Sequence, residues 1–149
     1  MSVQFYFKDT SINIPQRKRL RSFIIDIFNK EGYPLHSIDY IFCSDQFLLK
    51  INRDFLNHDY YTDIITFNLG EGKQPIIGEI YISADRVKEN ARIFKTSFKK
   101  ELHRVVFHGV LHLCGYKDKS KDQVSLMRSM EDRYLALYFT DVPRITVSH

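Results

Sequence analysis

The spacing of hydrophobic residues changes along this chain, and that change constrains the fold more than any other feature. Segments in which apolar residues alternate or run continuously predict strands, whereas longer segments with helical spacing predict helices. Strands and helices interleave in the first half of the chain, and consecutive helices follow. This order predicts an α+β fold in which a small mixed β-sheet of about four strands packs with about five helices. The predicted strands are Val3–Phe7, Ser37–Cys43, Asp63–Asn68 and Ile76–Ser83.

Capping and turn residues mark where the helical segments begin and end. The predicted helices begin at Pro15, Asp45, Ser83, Thr96 or Ser97, and Ser120, and the first four end near Gly32, Asn57, Phe94 and Gly115. Gln123 lies three residues after Ser120 and completes a capping box. The turn-forming stretch from Gly70 to Pro75 separates the last two strands, which we therefore expect to be neighbours.

The composition fits one globular domain, which we expect to span residues 1–149. Hydrophobic residues make up 44% of the chain, enough for a packed core. No run reaches the roughly 18 apolar residues that cross a bilayer, and the first residues do not resemble a signal peptide. The two cysteines are too few to staple such a domain, so we expect a reducing, cytoplasmic location. The net charge of +4 suits a polyanionic partner, but it also describes an ordinary solvated surface.

Two histidines and an aspartate predict a metal site. His108 and His112 are four residues apart on the predicted helix that ends at Gly115, so their rings share one face of it. Gly115 permits a left-handed turn that brings the chain back toward this face, and Asp118 is the one ligand type in the segment that follows. Three protein ligands leave zinc an open fourth position, as in catalytic sites. The alternative is a pair of half-buried histidines without a metal.

Two other potential ligands near this pair are excluded by their positions. His103 precedes His108 by five residues and lies off the shared face of the helix. Cys114 lies two residues beyond His112, roughly on the opposite face, and is interpreted as a small buried residue. The predicted site therefore contains no thiolate.

The segment from His108 to Asp118, HGVLHLCGYKD, resembles the HGxLHLxGYDH signature of the YbeY endoribonucleases, also called rRNA maturation factors. Asn52 and the block TDIITF, from Thr62 to Phe67, resemble the LN and TDVLSF elements of that family. The strand sequence GEIYIS, from Gly78 to Ser83, resembles its GDIxIS element. The resemblance covers most of the chain between Ile51 and Asp118.

The resemblance implies a zinc-dependent endoribonuclease specific for single strands, with a zincin-like metal helix. It also implies action on the 3′ end of small-subunit ribosomal RNA and in ribosome quality control. The implied partners are single-stranded RNA, ribosomal RNA and the small ribosomal subunit, without a membrane or DNA. The family's ligand positions correspond to His108, His112 and Asp118, and Asp118 replaces a third histidine. This replacement also makes iron or another divalent metal a possible occupant.

A second difference from the family concerns the cation that contacts RNA. The family usually has an arginine six residues before the threonine of TDVLSF, and this chain has Leu56 there. Arg53, one turn earlier, and Lys117, within the metal motif, are the substrate-binding candidates that remain. A further set of basic residues precedes the motif and could follow the phosphates of RNA or form a solvated face. These residues are Arg86, Lys88, Arg92, Lys95, Lys99, Lys100 and Arg104.

Two other functions share parts of this pattern. A zinc peptidase of the HExxH type needs a glutamate beside the first histidine, and Gly109 occupies that place. Peptidase chemistry would therefore need another carboxylate, such as Glu79 or Asp63, as its base. The other alternative is a ribosome-associated RNA-binding factor with a structural metal. The presence of Leu56 in place of the family's arginine makes this alternative credible. The sequence assigns no catalytic base.

Overall fold

Four strands form one mixed sheet in the computed structural model, which describes residues 1–70 and 75–140. The strands are β1 (Ser2–Phe7), β2 (Leu35–Cys43), β3 (Ile64–Asn68) and β4 (Ile76–Ser83). The helices are α1 (Arg17–Glu31), α2 (Asp45–Leu56), α3 (Ala84–Ile93), α4 (Phe98–Leu113) and α5 (Lys121–Thr140). The predicted α+β fold with four strands and five helices is confirmed over these residues. Residues 71–74 of the predicted turn lie outside them.

The strand order across the sheet is β1-β2-β4-β3. β2 lies parallel to both β1 and β4, whereas β3 lies antiparallel to β4, with Ile65 opposite Tyr81. The two strands predicted as neighbours are therefore paired. This pairing places β3 at one edge of the sheet, where the residue before it, Asp63, accepts a hydrogen bond from the Ser83 amide at 2.9 Å.

Helix α4 packs unusually close to the sheet because glycines line its contact with β4. A Cβ on Gly109 of α4 would lie 2.8 Å from Cδ1 of Ile80, and a Cβ on Gly78 of β4 would lie 2.7 Å from Cδ1 of Leu113. The buried hydroxyl of Tyr40 on β2 donates to the Val106 carbonyl of α4 at 3.0 Å. These contacts fix the position of the helix that carries both histidines.

The two faces of the sheet have separate hydrophobic clusters. The larger cluster includes Ile38 and Ile80 of the sheet and is completed by the buried residues of α1, α4 and α5. The smaller cluster, on the other face, joins Cys43 and Ile65 to Leu48 of α2. No helix in the described part of the chain is both long and apolar enough to cross a membrane.

Helices α3, α4 and α5 begin where the sequence predicted. Ser83 and Ser97 cap α3 and α4, since their hydroxyls accept from the Arg86 and Lys100 amides at 3.1 and 3.0 Å. The Ser120 hydroxyl accepts from the Gln123 amide, and the Gln123 side chain accepts from the Ser120 amide, both at 3.1 Å. This reciprocal pair confirms the predicted capping box at the start of α5.

Two helix starts differ from their predictions. The first helix begins at Arg17 rather than in the turn that contains Pro15, because Gln16 adopts a left-handed conformation with φ +51°. Ser44, not Asp45, caps α2 by accepting from the Phe47 amide at 3.1 Å. Asp45 instead accepts from the Ser83 hydroxyl, so a tertiary contact takes the carboxylate away from the cap.

Candidate metal centre

The end of α4 and the segment after it bring three potential metal ligands together. His108 and His112 lie one turn apart on α4, and their ring centroids are 5.3 Å apart. Gly115 has φ +94°, a left-handed conformation that reverses the chain after the helix. Asp118 thereby returns to the histidines. Its Oδ2 lies 3.3 Å from Nε2 of His108, and its Oδ1 lies 3.4 Å from Nε2 of His112.

These three side chains fit a divalent metal ion. One donor atom from each lies within 4.8 Å of the donor atoms of the other two. The side chain of His108 is 18% exposed and those of His112 and Asp118 are 36% and 37% exposed, so the group opens to solvent. Two imidazoles and one carboxylate are a donor set of catalytic zinc sites and also of non-haem iron sites. The convergence of Asp118 favours a metal site over two half-buried histidines.

Glu131 of α5 is hydrogen-bonded to the ring of His108, a contact that was not predicted from the sequence. Nδ1 of His108 donates to the Glu131 carboxylate at 2.6 Å, and Nε2, on the other side of the ring, lies 3.3 Å from Asp118. Burial lowers the pKa of His108, but the hydrogen bond and charge of Glu131 outweigh it, so the pKa is raised. For His112, burial and the neighbouring His108 lower the pKa. The feature that could have identified Glu131 from the sequence is its position as a carboxylate among the apolar residues that form the buried side of an amphipathic helix.

Arg104 balances the buried carboxylates around Glu131. Its guanidinium lies 3.0 Å from Glu131, 2.9 Å from Asp132 and 3.8 Å from Glu101, and its side chain is only 16% exposed. Burial raises the pKa of Glu101, and the Arg104 charge opposes that shift. Arg104 was predicted among the residues that follow RNA phosphates, but in the structure it serves this internal network.

Two of the three potential ligands, His108 and Asp118, lie where two arms of one cleft meet. Both arms are bounded by Asp63, Ile64, His108 and Asp118. We call one the β3 arm, which Thr62, Thr66 and His112 complete. We call the other the α5 arm, whose further lining includes Asn90, Phe94, Val124, Met127, Arg128 and Glu131.

Asp63 is a partly buried carboxyl group at the junction of the two arms. It borders both arms, and the Asn90 side chain donates to its Oδ2 at 3.4 Å. Burial raises its pKa, although the nearby His108 charge acts in the opposite direction. Glu79, the other carboxylate considered from the sequence, lies on the opposite face of β4 from α4 and accepts from the Tyr81 hydroxyl. Its strand therefore directs it away from the metal ligands.

The HExxH arrangement of zinc peptidases does not fit this helix. Gly109 faces Ile80 and Ile64 of the sheet, and a Cβ there would lie 2.8 Å and 3.2 Å from their Cδ1 atoms. A glutamate at this position would enter the core rather than the cleft. The structure thus disfavours peptidase chemistry by the same packing that fixes α4.

The two substrate-binding candidates from the sequence lie outside both arms of the cleft. Arg53 forms an exposed ion pair with Asp59 on the segment between α2 and β3. Lys117 is exposed and lines a different groove together with Tyr33 and Leu126. Leu56, which replaces the family arginine, is 39% exposed. Neither basic residue therefore lines the cleft that contains the potential ligands, although Lys117 directly precedes Asp118.

The two excluded ligands occupy the core. His103 is fully buried against Tyr138, and its Nδ1 donates to the Lys99 carbonyl at 2.7 Å. Cys114 is buried as a free thiol, and burial raises its pKa to about 12. Both positions agree with the sequence interpretation.

Comparison with known proteins finds the same family along almost the whole chain. The sequence model described as Endoribonuclease YbeY matches residues 4–138. A protein of Cytophaga hutchinsonii named Endoribonuclease YbeY is 52% identical over 134 residues, covering 89% of this chain and 94% of that protein. A protein of Parabacteroides distasonis with the same name is 42% identical over 137 residues, covering 92% of this chain and 96% of that protein.

A solved structure also matches the fold. The solution structure of TM1509 from Thermotoga maritima superposes with a TM-score of 0.62 at 28% sequence identity. The match covers 95% of this chain and 91% of that chain. The arrangement of sheet and helices described above is therefore shared with an experimental structure.

Proposed function

Because this chain belongs to the YbeY endoribonuclease family, we propose that it hydrolyses phosphodiester bonds of single-stranded RNA at a metal site formed by His108, His112 and Asp118. The observation that supports this proposal best is the approach of both Asp118 oxygens to the Nε2 atoms of the two histidines. When bound there, a divalent ion supplies Lewis acidity for phosphodiester hydrolysis. Zinc is the ion we propose, because three protein ligands with an open position are typical of its catalytic sites.

Three carboxyl groups of the protein, those of Glu131, Asp118 and Asp63, determine the properties of this site. Glu131 holds the proton of His108 on Nδ1, so that Nε2 keeps its lone pair for a ligand role. Asp118 contributes one negative charge where a third histidine would contribute none, which lowers the electrophilicity expected of the bound ion. Asp63 lies at the junction of the arms, and its raised pKa makes this carboxyl group a better proton acceptor than an ordinary aspartate.

The family also supports a more specific cellular role. We propose that the substrate is the 3′ region of small-subunit ribosomal RNA, that the small ribosomal subunit is the partner, and that the enzyme acts in the cytoplasm in ribosome maturation and quality control. Residues 1–149 act as a single domain in this proposal. Arg53 and Lys117, exposed and outside the cleft, are suited to contact RNA phosphates away from the cleavage point.

Metal content and RNA cleavage together test the proposal. Untagged protein incubated with zinc and desalted should retain about one equivalent of metal and cut a single-stranded RNA oligonucleotide but not the matching duplex. His112→Ala and Asp118→Ala should lose most of both properties. His36→Ala is the matched control, since His36 is exposed and hydrogen-bonds Ser37. Asp118→His should keep the metal and raise cleavage at neutral pH, because a neutral ligand leaves the ion a stronger Lewis acid.

The outcomes separate an enzyme from a binding factor. Zinc-loaded wild-type protein that binds ribosomal RNA but cuts no single strand would contradict the enzyme and support the RNA-binding factor. Full metal occupancy in Asp118→Ala would show that the third ligand lies elsewhere.

A further inference from the structure

The α5 arm of the cleft combines an exposed aromatic ring with an exposed guanidinium beside the metal ligands. From this combination we propose that the α5 arm binds one nucleotide of the RNA, with its base stacked on Phe94 and its phosphate on Arg128. This inference rests on the proposed function, because it assigns where the single strand lies next to the metal site. The proposed nucleotide site includes neither Leu56 nor the two substrate-binding candidates from the sequence, Arg53 and Lys117.

Phe94 lines the cleft and has an ordered backbone. It ends α3, where its amide donates to the Asn90 carbonyl at 2.9 Å and the Thr96 amide donates to the Ala91 carbonyl at 3.0 Å. The residue is 58% exposed although it lines the same arm as His108. Because the backbone is already ordered, a base that stacks on Phe94 has only two side-chain torsions to fix, and stacking accepts any base.

Arg128 is the arginine of this arm that is suited to meet a phosphate. The other one, Arg104, already lies within 4 Å of three carboxylates and is mostly buried. The side chain of Arg128 is 54% exposed, and among the described residues its ion-pair contact is with Glu131 alone, at 3.6 Å. A phosphate could therefore approach its outer edge while Glu131 keeps its bond to His108.

Charge also favours a phosphate at this end of the arm. The walls nearest the ligands are acidic, with Asp63, Asp118 and Glu131, so they repel a polyanion unless a metal ion offsets them. Arg128 lies on α5 one turn before Glu131 and supplies positive charge at the edge of this acidic group. Phe94 and Arg128 thus provide the aromatic and cationic contacts that bind unpaired nucleic acid.

The site requires an unpaired nucleotide because a base must leave its own helical stack to lie on Phe94. The apolar residues Val124 and Met127 add no hydrogen-bond donors to the arm, and the side-chain amide of Asn90 already donates to Asp63. The arm therefore favours single strands over duplexes and discriminates little among sequences.

A tryptophan reporter tests the stacking contact directly. The chain contains no Trp, so Phe94→Trp introduces a single indole at the proposed site. Titration of the zinc-loaded variant with a uridylate hexamer should quench its fluorescence, whereas an abasic ribose-phosphate hexamer or a duplex should not. The control is Tyr6→Trp, at a residue 51% exposed on edge strand β1. Equal quenching in both variants, or none in Phe94→Trp, would overturn the stacking assignment.

Binding of the same hexamer by variants without tryptophan tests both contacts. Phe94→Ala should weaken affinity about tenfold, whereas Ile93→Ala, at an adjacent exposed residue outside the arm, should not. Arg128→Gln should weaken affinity and reduce the slope of log affinity against log salt by about 0.7, the value for one phosphate contact on a single strand. Arg133→Gln removes the same charge from an exposed position on α5 and should leave the slope unchanged.

RNA cleavage by the wild type and by the variants distinguishes an incorrect nucleotide site from an incorrect enzymatic function. If the wild type cuts single-stranded RNA while Phe94→Ala and Arg128→Gln bind and cut as it does, the nucleotide site is wrong and the enzyme remains. If the wild type neither binds nor cuts single-stranded RNA, both are wrong. Metal content should be unchanged in Phe94→Ala and Arg128→Gln, because neither replaces a proposed ligand or Glu131.

Discussion

At the scale of single residues, Glu131 distinguishes this metal centre from a bare pair of histidines. Its carboxylate accepts the Nδ1–H of His108 and is also paired with Arg104, so two neighbours fix its position. A hydrogen-bonded carboxylate raises the basicity of a ligating imidazole and fixes the ring. In the proposed metal site, Glu131 would therefore affect the affinity for metal without being a ligand.

We predict that removal of the Glu131 charge weakens metal binding without removing a ligand. Glu131→Gln should lower zinc affinity about tenfold, and Glu131→Ala by more, within the 10- to 100-fold range typical of such partners. Asp132→Asn is the control, because Asp132 contacts Arg104 but not His108. Competition with a chromogenic chelator measures the affinity. Equal affinities in Glu131→Ala and Asp132→Asn would contradict the role of Glu131.

The two thiols provide a second prediction at this scale. Burial raises the pKa of both Cys43 and Cys114 to about 12, and nearby carboxylates add to the shift. A raised pKa keeps a thiol protonated at pH 8, and only the thiolate attacks a disulfide reagent. Less than about a tenth of an equivalent should therefore react with DTNB in the folded protein, and both thiols should react in urea. Rapid labelling of the folded protein at pH 8 would show that one thiol is accessible and ionised.

At the scale of elements, the close contact between α4 and the sheet positions the metal ligands. Gly109 lies between His108 and His112 and faces the core while they face the cleft. A side chain at position 109 would push the helix away from β4 and move both imidazoles. We therefore expect a substitution at Gly109 to affect both stability and the proposed metal site.

We predict that Gly109→Ala lowers the free energy of unfolding by about 1–3 kcal/mol, although alanine is the better helix former. The new methyl would lie 2.8 Å from Cδ1 of Ile80, which is fully buried. Ile80→Val removes that atom, so the double variant Gly109→Ala/Ile80→Val should be more stable than the sum of the single effects implies. Urea unfolding of the four proteins measures this. Strict additivity would contradict the steric explanation.

The elements themselves were largely predictable because their determinants are local. Ser83, Ser97 and the Ser120–Gln123 pair bond to amides within three residues, so the sequence alone identifies them as caps. Where a distant residue competes, the prediction was wrong: Asp45 bonds Ser83 instead of capping α2. Glu131 was missed for the same reason, since its partner His108 is 23 residues away on another helix.

At the scale of the whole molecule, charge is distributed unevenly. The metal cleft is acidic, although the chain as a whole carries a net charge of +4. The basic residues that precede the metal motif do not act as one group. Arg104 is internal and Arg86 pairs with Asp45, whereas Lys95, Lys99 and Lys100 are exposed near the start of α4. The sequence identified this group but could not separate structural cations from those free to meet RNA, because that depends on contacts between helices.

We therefore predict that these three lysines, Lys95, Lys99 and Lys100, form the basic approach to the cleft. Lys95 directly follows Phe94, and Lys99 and Lys100 line a neighbouring groove with Asp132 of α5. Replacing all three with glutamine lowers the net charge by three, from +4 to +1. Affinity for single-stranded RNA should fall, and the slope of log affinity against log salt should decrease by about 0.7 for each phosphate that the variant no longer neutralises.

A charge-matched variant separates local contacts from net charge. Lys18, Lys30 and Lys50 are also exposed but lie on α1 and α2, so their replacement by glutamine gives the same net charge of +1. If the lysines near α4 contact phosphates, only their replacement should reduce the slope, because each contact releases its own counterions. Equal effects in both variants would instead show that the overall charge of the protein attracts the RNA. Such an attraction acts over distances up to about the Debye length, which is about 10 Å at 0.1 M salt. Metal content should be the same in both proteins, since no proposed ligand changes.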